Sequence, residues 1–261
     1  MICKNDLILQ KIAIKILNMK LSNNKILITG GATGIGLGLA ERFIQENNTV
    51  IICGRRETAL QEAQHKIPEL IIKQCDLALP AERVGLFNWI SEKHSDLNVL
   101  VNNAGIQKRK TLITDDDFFD HLQEELTINA EAPVHLTSLF LNLKNLSTIM
   151  NVTSGLAFVP MIKTPVYSAS KSFFHSYTVS LRALVKSRNI EVIEIIPPAL
   201  NTELGGKGEH DYAPPVKDFI DAIISQLKQG KNELNFGFSD IIIKAMPETW
   251  QSLFTKMNTL K

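Results

Sequence analysis

Six short and almost uninterrupted apolar runs recur along the chain, and each leads into a longer stretch with helical spacing. The runs are Lys25–Thr29, Thr49–Cys53, Leu70–Cys75, Asn98–Val101, Thr148–Thr153 and Glu191–Ile196, with a weaker one near Glu233–Phe236. Helical patterns fall around Ile35–Glu46, Glu57–Lys66, Ala81–His94, Asp116–Leu143, Val166–Lys186 and Val216–Lys228. Strands that lack polar alternation need cover on both faces. Repeated strand–helix–strand units then select a parallel sheet, doubly wound, with helices on both sides. In such sheets ligands sit outside the carboxyl ends of the strands, so the residues at those ends are the ones to read for function.

With 261 residues the chain is long enough for one sizeable α/β domain and short for two. Its apolar share of 44% is that of an ordinary globular core. The 28 basic and 27 acidic side chains leave a formal charge of +1 and form no like-charge block, so neither nucleic acid nor an anionic membrane is expected as a partner. Cys3, Cys53 and Cys75 are odd in number and widely spaced, which argues against a disulfide framework or a metal site. Cys53 and Cys75 read as small core residues, and a reducing cytoplasm fits.

Residues 1–18 stand apart. Leu7–Leu17 is apolar, but Lys11 and Lys15 interrupt it and no small-residue cleavage site follows. It is too short and too charged to span a membrane, and a poor signal peptide. Two readings stand: a loose amphipathic extension, or an upstream start with the working protein beginning at Met19. The second is preferred because Lys25–Thr29 already reads as a first strand, which makes residues 19–261 a single domain.

After that first strand comes Thr29-Gly30-Gly31-Ala32-Thr33-Gly34-Ile35-Gly36, leading straight into a helix. Gly30 permits a tight turn, Gly34 lets backbone approach a pyrophosphate, and Gly36 lets the helix pack close to the strand. The helix start at Thr33 and Ile35 offers unpaired N–H groups and a partial positive charge to phosphates. A glycine-rich turn alone means little, but a strand before it and a helix after it point to a dinucleotide. The second strand ends in Cys53-Gly54-Arg55-Arg56. An acidic residue there would bind the ribose hydroxyls of NAD. Gly54 has no carboxylate, and arginine suits a phosphate, so NADP(H) is preferred over NAD(H). The plainer reading is that Arg55 and Arg56 begin a solvated helix beside Glu57. Asp76, with Leu77 beside it, follows the third strand as a candidate acceptor for the adenine amino group. Asn102-Asn103-Ala104-Gly105 follows the fourth, as either a cofactor contact or a polar turn.

Tyr167 and Lys171 are i and i+4 on a predicted helix and share a face. A solvated helix gives the same spacing, so the pair is weak by itself. Ser154, at the end of the fifth strand on the cofactor side, strengthens it. Free tyrosine has a pKa of about 10, too high for a base near neutrality. An ammonium about 4 Å away contributes roughly 4 kcal/mol at an effective dielectric of about 20, or about 3 pKa units. The expectation is a phenol acidified by Lys171, able to exchange a proton with a carbonyl or alcohol oxygen that Ser154 holds in line for hydride transfer from the cofactor.

From Lys20 to about Thr202 the chain resembles the short-chain dehydrogenase/reductase family. The matching residues are Thr29-Gly30-x3-Gly34-x-Gly36, Asp76, Asn102-Asn103-Ala104-Gly105, Asn129, Ser154, Tyr167-x3-Lys171 and Pro197. The resemblance implies a Rossmann-type sheet of about seven strands. It implies that Lys171 bonds the nicotinamide ribose, that Asn129 supports a proton relay, and that Thr202 contacts the carboxamide. The segment Ile195–Leu204 further resembles a bacterial subgroup of oxidoreductases, some named for an association with D-alanylation of teichoic acid. Pro198 stands where the family usually has glycine. The family commonly forms dimers or tetramers through the long helices near Asp116–Leu143 and Val166–Lys186.

The leading expectation is an NADP(H)-dependent carbonyl reductase or alcohol dehydrogenase acting on a small molecule. A nucleotide-binding redox sensor without turnover is the alternative, and a sensor has no need of a proton donor. A sugar-nucleotide epimerase is disfavoured by the glycine spacing and the short C-terminal part. Substrate choice is expected to rest on Leu156–Ile162 and the stretch after Thr202, where Gly205-Gly206-Lys207-Gly208 is a candidate lid or a plain flexible loop. Leu156, Phe158, Val159 and Met161 hint at a lipophilic substrate or are simply buried. His175, Tyr177 and the remaining histidines read as packing or surface residues without metal spacing.

Overall fold

The apolar runs become seven strands: β1 (Lys25–Thr29), β2 (Thr49–Gly54), β3 (Ile71–Gln74), β4 (Val99–Asn102), β5 (Thr148–Val152), β6 (Glu191–Ile196) and β7 (Glu233–Asn235). They form one parallel sheet in the order β3-β2-β1-β4-β5-β6-β7. This computed structural model describes residues 19–109, 113, 115–245 and 247–258; the extension expected over residues 1–18 lies outside the described residues.

The sheet works as predicted because successive strand residues serve opposite faces. Ile26 and Ile28 pack with Leu39 and Phe43 of α1 (Gly34–Gln45) and with Phe219 and Ile223 of α7 (Val216–Lys228). Leu27 points the other way, into a second cluster with α3 (Pro80–Lys93), α5 (Ala132–Phe140) and α6 (Pro165–Leu184). Leu60 and Ala63 of α2 (Glu57–Lys66) join the first cluster. Burying each such aliphatic side chain stabilises by about 1.5–3 kcal/mol, which holds the strands between two layers.

The chain winds from β1 outward to β3 and then returns to place β4 beside β1 on its other edge. That reversal opens a crevice above the carboxyl ends of β1 and β4.

The helix expected over Asp116–Leu143 is not one α-helix. It runs as α4 (Phe118–Leu126), a wider π turn over Thr127–Glu131, and then α5. Pro133 gives the reason. It has no N–H to return to the carbonyl four residues back, at Asn129, so the ladder widens there. Two further helices, α8 (Phe238–Ile242) and α9 (Pro247–Asn258), lie in the C-terminal part that the pattern reading left unassigned.

Candidate active site

At the top of β1 the chain turns at Gly30 with φ +63°, and a Cβ there would lie 2.9 Å from Ala104 Cα. At Gly36, in the first turn of α1, a Cβ would lie 2.3 Å from the Gly30 carbonyl oxygen and 2.5 Å from Asn103 Nδ2. Glycine is therefore what lets strand, loop and helix close on one another. Asn103 completes the join: its side-chain amide donates to the Thr29 and Gly30 carbonyls at 2.9 and 3.1 Å. The N–H groups of Asn103 and Ala104 both donate to Thr29 Oγ1 at 3.0 Å. So the Asn-Asn-Ala-Gly segment bolts β4 to the glycine loop, and the Asn103 amide, read from sequence as a cofactor contact, is committed to backbone. Asn103 and Ala104 still line the crevice.

Thr33 makes no side-chain cap to α1, and the first turn carries no acidic residue. The helix thus presents uncapped N–H groups to the crevice wall formed by Thr33, Gly34 and Ile35. Arg55 and Arg56 are exposed at the end of β2 and line the same crevice. The arginine ion pairs among the described residues belong to Arg42, Arg83, Arg109 and Arg182, so both guanidiniums there stay unpaired. Arg56 is also the N-cap position of the exposed start of α2, as the plainer reading has it, and neither arginine pairs with Glu57. Asp76 and Leu77 line the crevice beyond β3, with Asp76 Oδ1 accepting the Ala78 N–H at 2.9 Å. Pro197 and Thr202 line it after β6, and the Pro197 carbonyl accepts the Gly155 N–H at 3.0 Å. The Thr202 methyl lies 3.4 Å from where a Gly34 Cβ would be, so the post-β6 segment closes over the glycine loop.

Ser154, Tyr167 and Lys171 are buried and line this crevice, while Asn129 is buried off its wall, next to the lining residue Gly105. Ser154 follows β5 in extended backbone and its Oγ accepts the Leu156 N–H at 3.1 Å, capping a short turn over Gly155–Ala157. The Tyr167 phenol lies beside the Ser154 hydroxyl, close enough for Ser154 to favour the charged phenol. Lys171, one turn further along α6, donates from Nζ to the Val152 carbonyl at 2.9 Å. Asn129, inside the π turn, accepts the Ile106 N–H and donates to the Ile106 carbonyl, both at 2.8 Å. It also donates to Ser170 Oγ at 3.2 Å. A Cβ on Gly105 would sit 3.4 Å from Asn129 Oδ1 and 3.5 Å from Lys171 Nζ, so both groups border Gly105.

The expected acidified phenol is not built into the protein alone. Burial pushes the Tyr167 pKa up to about 12; the Ser154 hydroxyl opposes this and the charge of Glu125 adds to it. Burial also pushes Lys171 down to about 8. Nζ lies 5.7 Å from the ring centroid and is bonded to Val152 instead of the phenol oxygen. Desolvation of both charged forms outweighs their attraction. At neutral pH the buried phenol therefore keeps its proton.

Two carboxylates in this region escaped the sequence reading. Glu125 is buried one turn before Asn129, where its Oε1 accepts the Lys108 N–H at 2.9 Å and burial raises its pKa to about 7. Its spacing of four from Asn129 on one helical pattern was the available signal. Because the folded carboxyl holds its proton to about 7 and the unfolded one releases it near 4.5, the folded state binds more protons between those values. Stability from this group therefore falls as pH rises through that window. Glu125→Gln cannot titrate, so its melting temperature relative to the parent should gain a few degrees between about pH 5 and about pH 8. A constant difference in thermal scans across that range would show that Glu125 titrates as an ordinary carboxyl.

Glu194 is the second, a fully buried acid in the interior of β6. It accepts from Thr153 Oγ1 at 2.8 Å and pairs with His175 Nδ1 at 2.8 Å. His175, read as packing or surface, thus ties α6 to β6 directly behind Ser154, and Glu194 raises its pKa.

The substrate-side wall divides the apolar residues expected there. Leu156, Met161 and Ile162 line the crevice. Phe158 instead packs on the His175 ring at 4.5 Å and Val159 is fully buried, so neither argues for a lipophilic ligand. α9 holds this loop from outside: Trp250 Nε1 donates to the Phe158 carbonyl and Asn258 Nδ2 to the Pro160 carbonyl, each at 3.0 Å. The whole crevice encloses about 2110 Å³. Among the described residues no three His, Cys, Asp or Glu side chains are grouped to hold a metal, and no helix is long and apolar enough to cross a membrane.

A parallel sheet with this glycine loop, and with Ser154, Tyr167, Lys171 and Asn129 at one end, defines a Rossmann-type dehydrogenase fold. Residues 24–213 match the short chain dehydrogenase family, and the chain belongs to it. The oxidoreductase DltE of Bacillus subtilis is 39% identical over 251 residues, covering 92% of this chain and 99% of its own. The NADP-dependent 3-hydroxy acid dehydrogenase YdfG of Escherichia coli is 28% identical over 181 residues, 66% of this chain and 71% of its own. A short chain dehydrogenase from Burkholderia cenocepacia, solved in complex with NADP, shares the fold with a TM-score of 0.80 at 22% identity, covering 92% of this chain and 99% of that one.

Proposed function

We propose that this oxidoreductase interconverts a carbonyl and an alcohol on a small molecule, prefers NADP(H) to NAD(H), and uses Tyr167 as its general acid and base. The carrying observation is the buried phenol beside the Ser154 hydroxyl in the crevice that the glycine loop and two unpaired arginines also line. The crevice residues fit such a cofactor. The space that a Gly36 Cβ would fill is closed to any side chain, and α1 brings uncapped N–H groups and no acid to the phosphate end. Arg55, with Arg56 beside it, suits a ribose 2′-phosphate, since Gly54 offers no carboxylate to a free hydroxyl. Asp76 and Leu77 would flank the adenine, while Ala104, Pro197 and Thr202 would line the nicotinamide end. The NADP in the name of the E. coli relative and in the Burkholderia structure supports this choice.

The bound nicotinamide supplies or takes up the hydride. Tyr167, protonated well beyond neutrality, donates its proton to a carbonyl oxygen in the reductive direction. Ser154 holds that oxygen in line. Lys171 has three donors and commits one to Val152, leaving two for ribose hydroxyls. Asn129, bordering Gly105 as Lys171 does, carries the relay that reprotonates the phenol. A redox sensor has no use for this buried set. Exposed Phe119, Leu126, Phe173 and Val179 on α4 and α6 support pairing of subunits through these helices, and a cytoplasmic site accords with the free, buried Cys53 and Cys75.

The test is NADPH oxidation with a panel of aldehydes and ketones, alongside titrations with NADPH and NADH. Arg55→Asp should weaken NADPH binding by about 10- to 100-fold relative to NADH, the worth of a charge-assisted contact. An unchanged ratio would remove Arg55 from the 2′-phosphate.

A further inference from the structure

Two polar atoms of the crevice wall are buried without a hydrogen-bond partner among the described residues: Gln107 Oε1 and His210 Nδ1. Gln107 is 8% exposed and His210 9% exposed, and both line the crevice that holds Tyr167 and Ser154. They come from distant parts of the chain. Gln107 follows the segment that bolts β4 to the glycine loop, and His210 closes the glycine-rich stretch after Thr202. Yet they converge on one dipeptide. The His210 ring lies beside the Leu204 backbone, and a Cβ on Gly205 would lie 2.9 Å from Gln107 Oε1. Neighbouring Cα atoms are only about 3.8 Å apart, so the two side chains reach adjacent points of the wall.

Their chemistry narrows what they face. Burial together with the Arg109 charge holds His210 below the usual histidine pKa, so its neutral ring brings one N–H donor and one acceptor to the wall. The Gln107 amide offers an acceptor and a donor. The charges beside them are matched: Arg109 pairs with Glu209 at 2.6 Å and Lys108 with Glu124 at 3.2 Å. Lys207 and Asp211 are exposed. A carboxylate would set its lone pairs against Gln107 Oε1, and an ammonium has no acceptor to offer a His210 N–H. A neutral hydroxyl can donate its one proton to Gln107 Oε1 and accept from a His210 ring N–H. Unpaired polar atoms are rare in folded proteins and unfavourable, so a ligand that pairs them is selected over one that does not.

We propose that Gln107 and His210 form a subsite that hydrogen-bonds a hydroxyl group of the substrate, so that the enzyme selects hydroxylated carbonyl compounds over plain alkyl or aryl ketones. This rests on the carbonyl–alcohol reading above. The test uses matched ketone pairs that differ by one hydroxyl, with the parent enzyme, Gln107→Leu and His210→Phe. NADPH-dependent kcat/KM should favour the hydroxylated partner by about 10- to 100-fold in the parent, and each variant should lower that ratio by about tenfold. Both variants should unfold at or above the parent temperature, because each removes an unpaired buried atom. A parent ratio near one, a ratio kept by both variants, or a fall in melting temperature that marks a structural role would overturn the subsite. Titrating the NADPH complex with the same ketone pairs, followed by NADPH fluorescence, reads the subsite without turnover. If the parent binds NADPH and reduces no ketone, the oxidoreductase reading fails, and equal binding of the paired ketones in this titration sinks the subsite separately.

Discussion

Tyr167→Phe should lower kcat for carbonyl reduction by about 10²- to 10⁴-fold, while NADPH binding stays within about twofold of the parent. The loss is a proton, not a fit. Phenylalanine keeps the ring packed beside Ser154 and removes only the oxygen that donates. The phenol accepts no charge at rest, since burial holds its pKa near the value of about 12. Its contribution therefore appears in the reacting step and leaves ground-state affinity alone. Stopped-flow single-turnover rates and a fluorescence titration of NADPH separate the two quantities. If both proteins bind NADPH and show identical background oxidation, the site is a nucleotide-binding sensor.

The second large effect falls on Gly36→Ala. An added methyl would stand 2.3 Å from the Gly30 carbonyl and 2.5 Å from the Asn103 amide. Neither neighbour can yield cheaply. The carbonyl is backbone in the turn after β1, and the amide is hydrogen-bonded to that same backbone at 2.9 and 3.1 Å. Overpacking of this kind costs about 1–3 kcal/mol, a fall of roughly 2–12 °C in melting temperature for a domain this large. Dinucleotide affinity should fall with it, because the displaced atoms are the ones that shape the phosphate end. Thermal scans with and without NADPH read both effects; normal stability with tight binding in the variant would mean that α1 and the loop do not close as described.

What could be read early and what could not divides by the range of the interaction. The strand runs, the glycine spacing and the i, i+4 pair Tyr167–Lys171 are local, and each was visible because period and spacing act over a few residues. The π turn at Asn129 was missed although its cause, Pro133, is local too; a helical pattern survives one widened turn. α9 was missed for a different reason. Its side chains pack little on the main core, and it is seated by Trp250 and Asn258 on a loop roughly ninety residues earlier. Glu125 and Glu194 are acids whose meaning depends on burial, which spacing does not report. For Tyr167 the attraction expected of a pair about 4 Å apart is opposed in the protein alone by the water that both groups lose, which spacing does not report.

By itself, the order of residues determined the parallel sheet and the place of the glycine loop, because backbone periodicity and glycine geometry are written in neighbouring positions, while the family resemblance is what groups Asn129 with Ser154, Tyr167 and Lys171. Only the folded chain decided that Lys171 turns to Val152, that Phe158 leaves the crevice for His175, and that Gln107 meets His210 across Leu204 and Gly205. Those outcomes are competitions between desolvation and hydrogen bonding among residues far apart in the chain, and the winner depends on which atoms the tertiary packing brings within reach.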